Sequence, residues 1–453
     1  MDNFQISFIL LLLSLFLLLL EFNKFRKITF VINLIILSLL LNFSLNSNFN
    51  HLLFLSNELW RDLVMFLVLL IFVVLINIIK DLKFEVIFLY IMVLLGSLMI
   101  ILCDNLIILY LGLELQTFSL FILISKNRVS VKSSESALKY FILGALSSGL
   151  FLLGVSFIFS AGLSLNLKEI LINCSYDKSL IKISFSLISL SLFFKLAIFP
   201  LHFWIPDIYE GSSWETVALI STIPKISVLT IILQIVSYSD FFIICGVISI
   251  IVGSLGAMNQ TKMKRLLAYS GISHIGFIIL GVGLVSNQGY EASFVYLFIY
   301  MITMLGVFSL IYNSTFSKNY FIVELGGLSI VNKILALTWL IFFLSIAGIP
   351  PLAGFISKWF ILVSLVNFNY LIPVFIGVIF SAIAAGYYLR VVKITYFQKK
   401  SSYLIWEDIL KVKEPKSNIV LYILAFIVYI NISLIIHPTS ILGSFYLSFN
   451  YFF

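Results

Sequence analysis

Apolar runs of about 18–25 residues recur along the whole chain, and each is long enough for a helix to cross roughly 30 Å of hydrocarbon. Inside hydrocarbon every backbone N–H and C=O must be satisfied within the protein, so these runs predict helices rather than open strands. Fourteen are found, at about 5–21, 28–45, 63–79, 86–103, 105–125, 138–162, 183–206 (broken), 213–237, 240–258, 265–285, 291–313, 334–366 (broken), 370–395 and 417–437. The longest connections, about 163–182 and 396–416, are too short to fold separately. The first run, Phe8 to Leu20, is followed by Lys24, Arg26 and Lys27 without a small-residue cleavage site, which predicts a retained span and not a signal peptide. With 62% hydrophobic and 11% charged residues, the bilayer is the solvent for most side chains.

The net charge of +8 could suggest a polyanion partner, but the basic residues sit in short loops between spans, which reflects membrane topology and excludes nucleic acid. Nineteen of the 28 Lys and Arg fall on the face shared by the odd-numbered connections. Only four, Arg61, Lys168, Lys178 and Lys182, fall on the other. This split predicts that both termini lie on the outer side. The remaining five, Lys195, Lys225, Lys358, Arg390 and Lys393, are inside spans.

Two spans are interrupted. The seventh breaks at Ile198-Phe199-Pro200, and the twelfth at Gly348-Ile349-Pro350-Pro351-Leu352-Ala353-Gly354. Each break is the fourth helix of a five-helix unit if spans 4–8 and 9–13 correspond. Five is odd, so consecutive units are inverted in the membrane, and paired proline-interrupted helices point to an ion site. The expected fold is therefore an all-α polytopic membrane protein of about 14 transmembrane helices, with two inverted five-helix repeats. Its parts are an N-terminal three-helix segment (1–85), a first repeat (86–237), a second (238–395), and a loop with the last span (396–453).

Charges inside spans carry the chemistry. A lysine at mid-depth costs about 2.5–3.5 kcal/mol on insertion scales, so an unused one would be expensive. Lys195 shares a helical face with Ser184, Ser191 and His202, and Lys225 shares one with Ser221 and Thr222 beside Pro224. Lys358 follows the second break next to Ser357. Of the twenty acidic residues only Glu114 lies near the middle of a span, on a polar stripe with Tyr110 and Thr117. The tenth span presents Ser270, Ser273, His274 and Phe277, and the eleventh Tyr296, Tyr300 and Thr303. Lysines taken out of water can exchange protons near neutrality, which favours a relay over a purely structural ion pair. Snorkelling accounts for Arg390 and Lys393 but not for three interior lysines.

Other chemistry is poorly supplied. His51, His202, His274 and His437 give no pair of spans with two histidines each, as a bis-histidine haem would need. Cys103, Cys174 and Cys245 stand alone, which excludes a four-cysteine iron–sulfur cluster within the chain and a disulfide framework. No glycine-rich strand–helix turn for a nucleotide occurs. Asp207, Glu210 and Glu215 follow the seventh span on the positive face and are expected to balance Lys262, Lys264 and Arg265.

Four strings, Gly112–Thr117, Phe194-Lys195-Leu196-Ala197 through Pro206–Gly211, Lys264–His274 and Ala347–Lys358, resemble subunit 2 of the antiporter-like membrane subunits of proton-pumping NADH:ubiquinone oxidoreductase, respiratory complex I. The resemblance spans roughly residues 85–400, and the Tyr-Glu-Gly and Lys-Trp contexts favour this branch over its two larger relatives, which share the fold of Mrp-type sodium/proton antiporters. It implies a proton channel in which Glu114 pairs with Lys195, Lys225 forms the central relay and Lys358 leads towards the outer exit. His274 would lie on the polar axis between the halves, with His202, Ser221, Ser273 and Tyr300 as further members of that axis, and Pro200, Pro350 and Pro351 as the helix breaks. It further implies no cofactor or metal in this chain, with NADH, FMN, iron–sulfur clusters and ubiquinone held by partner subunits. Partners would be neighbouring antiporter-like and small membrane-arm subunits and membrane lipids. Against that family, three N-terminal spans that shortened animal versions lack are expected here, and the long C-terminal lateral helix of the largest relative is not expected. Phe at 45 residues against Gly at 23 and Pro at 8 suits an AT-rich organelle genome, hence the mitochondrial inner membrane, with a bacterial plasma membrane as the alternative. The rival functions are a stand-alone sodium/proton antiporter and a passive scaffold.

Overall fold

The computed structural model describes residues 59–78, 84–127, 129–162, 164–167, 169–170, 179–235, 239–313, 321–398, 418–436 and 438. The expected spans at 5–21 and 28–45 lie outside these residues, as do His51, Cys174 and His437. Among the described residues there are fifteen α-helices, and the only β pairing is two isolated bridges. The spanning helices are α1 (Leu59–Ile78), α2 (Phe84–Leu102), α3 (Leu106–Ile124) and α4 (Val131–Ser160). A broken pair follows, α5 (Ser179–Leu196) and α6 (Trp204–Gly211), then α7 (Trp214–Ile235), α8 (Ser239–Met258), α9 (Met263–Val282) and α10 (Asn287–Asn313). The second broken pair is α11 (Lys333–Ala347) and α12 (Ala353–Asn367), before α13 (Leu371–Phe397) and α14 (Asn418–Ile436). A 3-10 turn (Ile322–Leu325) and a one-turn helix (Leu328–Val331) precede α11. Each expected span from the third to the fourteenth thus has its helix, and the two expected to be broken are broken.

Eight of these helices are individually long and apolar enough to cross a membrane. Burial sorts them: α7, α9 and α10 are enclosed by protein along most of their length, whereas α4 and α13 leave broad apolar faces uncovered. Lipid tails and protein interior are equally apolar, so shape decides how the helices pack, and small residues let backbones approach. α2 meets α3 with Gly96 against Gly112: a Cβ on Gly112 would lie 3.1 Å from the Gly96 carbonyl oxygen, and one on Gly96 2.9 Å from that of Gly112. α8 meets α9 the same way through Gly246 and Gly276, with the reciprocal separations 3.1 and 2.9 Å. The first two helices of each five-helix unit are therefore joined by the same device.

Both breaks end their first half-helix alike. After α5, Ala197 is left-handed (φ 57°), its N–H donates to Phe194 O (3.0 Å) and that of Ile198 to Phe193 O (3.0 Å). After α11, Gly348 is left-handed (φ 79°), with Gly348 N–H to Ser345 O (2.9 Å) and Ile349 N–H to Leu344 O (3.2 Å). These are Schellman caps, which satisfy carbonyls that a helix end otherwise leaves free. A further donor reaches each end: the Trp204 indole to Phe194 O (2.9 Å), and the Lys358 ammonium to Ala347 O (2.6 Å).

Valine at Gly112 or Gly276 has to push backbone apart, and overpacking of that kind costs about 1–3 kcal/mol. Both variants should lower the thermal unfolding midpoint in detergent. Gly149→Ala, where a Cβ meets nothing within 4 Å, should leave it unchanged or slightly raised.

Candidate functional site

Lys225 lies on α7, one residue after Pro224, whose missing N–H loosens the helix locally. Its ammonium is buried, 5.7 Å from the Tyr300 ring centroid, and without a hydrogen-bond partner among the described residues. The Tyr300 hydroxyl is likewise unpartnered. Gly271 on α9 leaves the room in which they meet: a Cβ there would lie 3.4 Å from Lys225 Nζ and 3.2 Å from the Tyr300 hydroxyl. One turn along α9, His274 stacks on Tyr300 at 5.0 Å. Its Nδ1 is 2.7 Å from the Tyr296 hydroxyl and its Nε2 3.1 Å from that of Tyr388. The Tyr388 ring packs on that of Tyr387, with centroids 4.4 Å apart. A cavity of about 10 Å³, the room one water needs, is lined by His274, Tyr296, Tyr300, Thr303, Ser357 and Lys358. Lys358 closes the row, with its ammonium on the Ala347 carbonyl and 5.9 Å from the Phe277 ring. His274 is within Coulombic reach of both Lys225 and Lys358.

Glu114 and Lys195 form the other end. Lys195 occupies the last turn of α5, half-buried, 5.6 Å from the Phe194 ring centroid. Glu114 is half-buried on α3, and its carboxylate accepts from Thr117 Oγ1 at 3.4 Å. The two are within Coulombic reach, but no contact of 4.0 Å or less joins them. They act on each other through the field. Two residues beyond Glu114, the buried Gln116 donates to Ser227 Oγ (3.2 Å), two residues beyond Lys225, so α3 and α7 are tied side chain to side chain.

The other expected members divide. Tyr300 is in the row. Ser273, Ser221, Ser184 and Ser191 donate to carbonyls of their own helices instead. His202 is buried within the first break, packed on Phe203 at 4.1 Å and Phe199 at 6.1 Å, and is not among the cavity residues. Tyr387, Tyr388 and Gln116 are absent from the sequence-based set. The adjacent Tyr387-Tyr388 beside Arg390 in an apolar span was the one available signal.

Outside the spans, α6 is clamped by ions. Asp207 pairs with Lys139 (2.7 Å) and Arg265 (3.2 Å), and Glu210 with Lys132 (2.8 Å), Lys262 (2.5 Å) and Arg265 (3.5 Å). Glu215 faces Lys126 at 3.9 Å. Lys264 donates to Ser212 O (2.5 Å) and lies 5.0 Å from the Trp214 ring centroid. The acids after the seventh span thus balance Lys262 and Arg265, as their positions suggested, together with Lys132 and Lys139 at the start of α4.

The family model described as NADH:quinone oxidoreductase/Mrp antiporter, transmembrane region, matches residues 103–384. NADH-ubiquinone oxidoreductase chain 2 of Metridium senile is 41% identical over 334 residues, 72% of this chain and 86% of the relative. NADH-quinone oxidoreductase subunit N of Pelagibacter ubique is 38% identical over 323 residues, 68% of each chain. A chain of respiratory complex I from Thermus thermophilus, solved with bound aureothin, superposes with a TM-score of 0.83 at 25% identity, covering 96% of this chain and 98% of that one. A chain of the Mrp complex from a Dietzia species has the same TM-score at 16% identity, covering 97% and 95%, a likeness of fold.

Glu210 supplies a pH test. Burial pushes its carboxyl up, but hydrogen bonds from Lys132 and Lys262 and the charges of both outweigh this and hold it at about 2. A depressed carboxylate stabilises the fold above its unfolded value of about 4.5 and loses that contribution as pH falls towards 2. Glu210→Gln should therefore lower the thermal midpoint in detergent at pH 7, and the gap to wild type should close on acidification from pH 5 to pH 2.

Proposed function

Because the chain belongs to the NADH:quinone oxidoreductase/Mrp antiporter membrane family, we propose that it works as the antiporter-like, proton-translocating subunit of a respiratory NADH:quinone oxidoreductase. Electron transfer occurs elsewhere in the complex, on nicotinamide, flavin, iron–sulfur and quinone groups held by other subunits. This chain converts it into proton movement beside neighbouring membrane-arm subunits. It resides in the mitochondrial inner membrane, and the loop charges favour both termini on the intermembrane-space side. Residues 86–237 and 238–395 act as inverted half-channels, between the 1–85 segment and the 396–453 tail.

The observation that carries the reading is the Lys225 ammonium, buried without a hydrogen-bond partner or counter-ion among the described residues and beside Tyr300, from which the row runs through His274 to Lys358. A change of charge at the quinone end alters the field at Glu114 and Lys195. That field, and the Gln116–Ser227 tie, reach Lys225, which gives up or takes a proton. The row from Tyr300 through His274 to Lys358 supplies hydroxyls and a ring nitrogen that pass a proton by exchange. Moving one charge against about 150 mV takes about 3.5 kcal/mol, comparable with a change of two to three pKa units. Field changes of that size are ordinary for ion pairs in a low dielectric, so the coupling is energetically feasible.

Lys225→Ala should allow assembly of the complex and lower the protons moved per electron. A normal proton yield together with normal quinone reduction would overturn the relay role. Sodium-driven proton uptake by the chain reconstituted alone would favour stand-alone transport instead.

A further inference from the structure

The serines along the spans, from Ser97 to Ser433, give their hydroxyl protons to a carbonyl three or four residues back in their own helix. Ser345, in the last turn of α11, does not. Its Oγ donates across to Oδ1 of Asn431 on α14 at 3.2 Å and accepts the N–H of Gly354, in the first turn of α12, at 3.3 Å. Both side chains are fully enclosed: Ser345 is 0% and Asn431 1% exposed. Asn431 is fixed in turn by donating to Ile427 O (3.1 Å). Backbone contact reinforces the junction, because a Cβ on Gly354 would collide with the Ser345 carbonyl oxygen. A buried amide in an apolar helix is costly unless its bonds are made, so it needs a reason to be there.

The reason lies two residues along α11 and four along α12. Ala347 O receives the Lys358 ammonium at 2.6 Å, and Ser345, Gly354 and Lys358 line the same small cavity beside His274. The Asn431–Ser345–Gly354 bridge fixes how far the end of α11 stands from the start of α12. The Lys358–Ala347 contact spans that same gap. We propose that Asn431, on a helix outside both five-helix units, is a positioning residue for Lys358, acting through Ser345 across the second break. The inference rests on Lys358 being part of the proton pathway.

The test uses the assembled complex in its own membrane with four variants: Ser345→Ala, Asn431→Leu, the double variant, and Asn431→Asp. A neutral aspartic acid keeps an acceptor for Ser345 and a donor for the Ile427 carbonyl. Proton yield per electron is followed against pH, with Lys358→Ala alongside. If the inference holds, Ser345→Ala and Asn431→Leu shift the profile in the same direction. The apparent proton affinity should change on the order of fivefold, the population ratio that one net hydrogen bond represents. The double variant should equal the singles, because both cut one bridge, and Asn431→Asp should restore the wild-type profile. Wild-type profiles in fully assembled Ser345→Ala and Asn431→Leu, with a lowered yield in Lys358→Ala, would overturn the positioning role alone. Loss of assembly in both without rescue by Asn431→Asp would overturn it too, leaving a packing role. A wild-type yield in Lys358→Ala would overturn the pathway reading itself.

Discussion

A carbonyl that loses its helical partner inside a bilayer must find another donor within the protein, and the two interrupted helices are built around that requirement. Both breaks meet it first with the same Schellman cap, at Ala197 and at Gly348. They differ in the outside donor. The Trp204 indole at the first break cannot titrate, so that end keeps its donor at any working pH. At the second break the donor is the Lys358 ammonium, so one group both completes the helix end and carries a charge. A cap that is also a charge ties helix-end geometry to the ionisation of that group. The second break is accordingly the place where charge and conformation can trade.

The three interior lysines share one kind of surrounding. Each lies within 6 Å of an aromatic ring: Phe194 at 5.6 Å, Tyr300 at 5.7 Å and Phe277 at 5.9 Å. A cation over a ring gains about 0.5–2 kcal/mol, less than the roughly 2.5–3.5 kcal/mol that burying a lysine in a span costs. Lys358 makes up part of the difference with a carbonyl, and Lys195 with the field of Glu114. Lys225 has neither. A charge left short of compensation responds most to a small change in field, and on that ground Lys225, rather than its two counterparts, is the one proposed as the relay.

Much of this was legible in the chain because hydrocarbon is a strict solvent. Span lengths, loop charges and the prolines at 200, 350 and 351 report single-helix requirements, and single-helix requirements are written locally. The pairwise geometry was less accessible. Glu114 and Lys195 were expected to form a pair, and they sit within each other's field without contact, a separation that depends on how α3 and α5 cross. Tyr388 is not legible as a site residue, because tyrosine in a span reads as an ordinary interfacial or core residue and only the fold brings it against His274. Ser345 and Asn431 could not be matched at all: they are far apart in sequence, and neither stands out among many serines and asparagines.

The clamp on α6 shows by contrast what a relay cannot be. Asp207 and Glu210 are acids close to the first break and beside Arg265, an inviting position for proton entry. Each already answers two or more cations at 2.5–3.5 Å. With Glu210 held at about 2, its carboxylate stays ionised through the physiological range and has no proton to pass near neutrality. Its three partners tie α6 to the starts of α4 and α9, so it holds the segment after the first break, whereas the three interior lysines make no ion pair of that kind among the described residues.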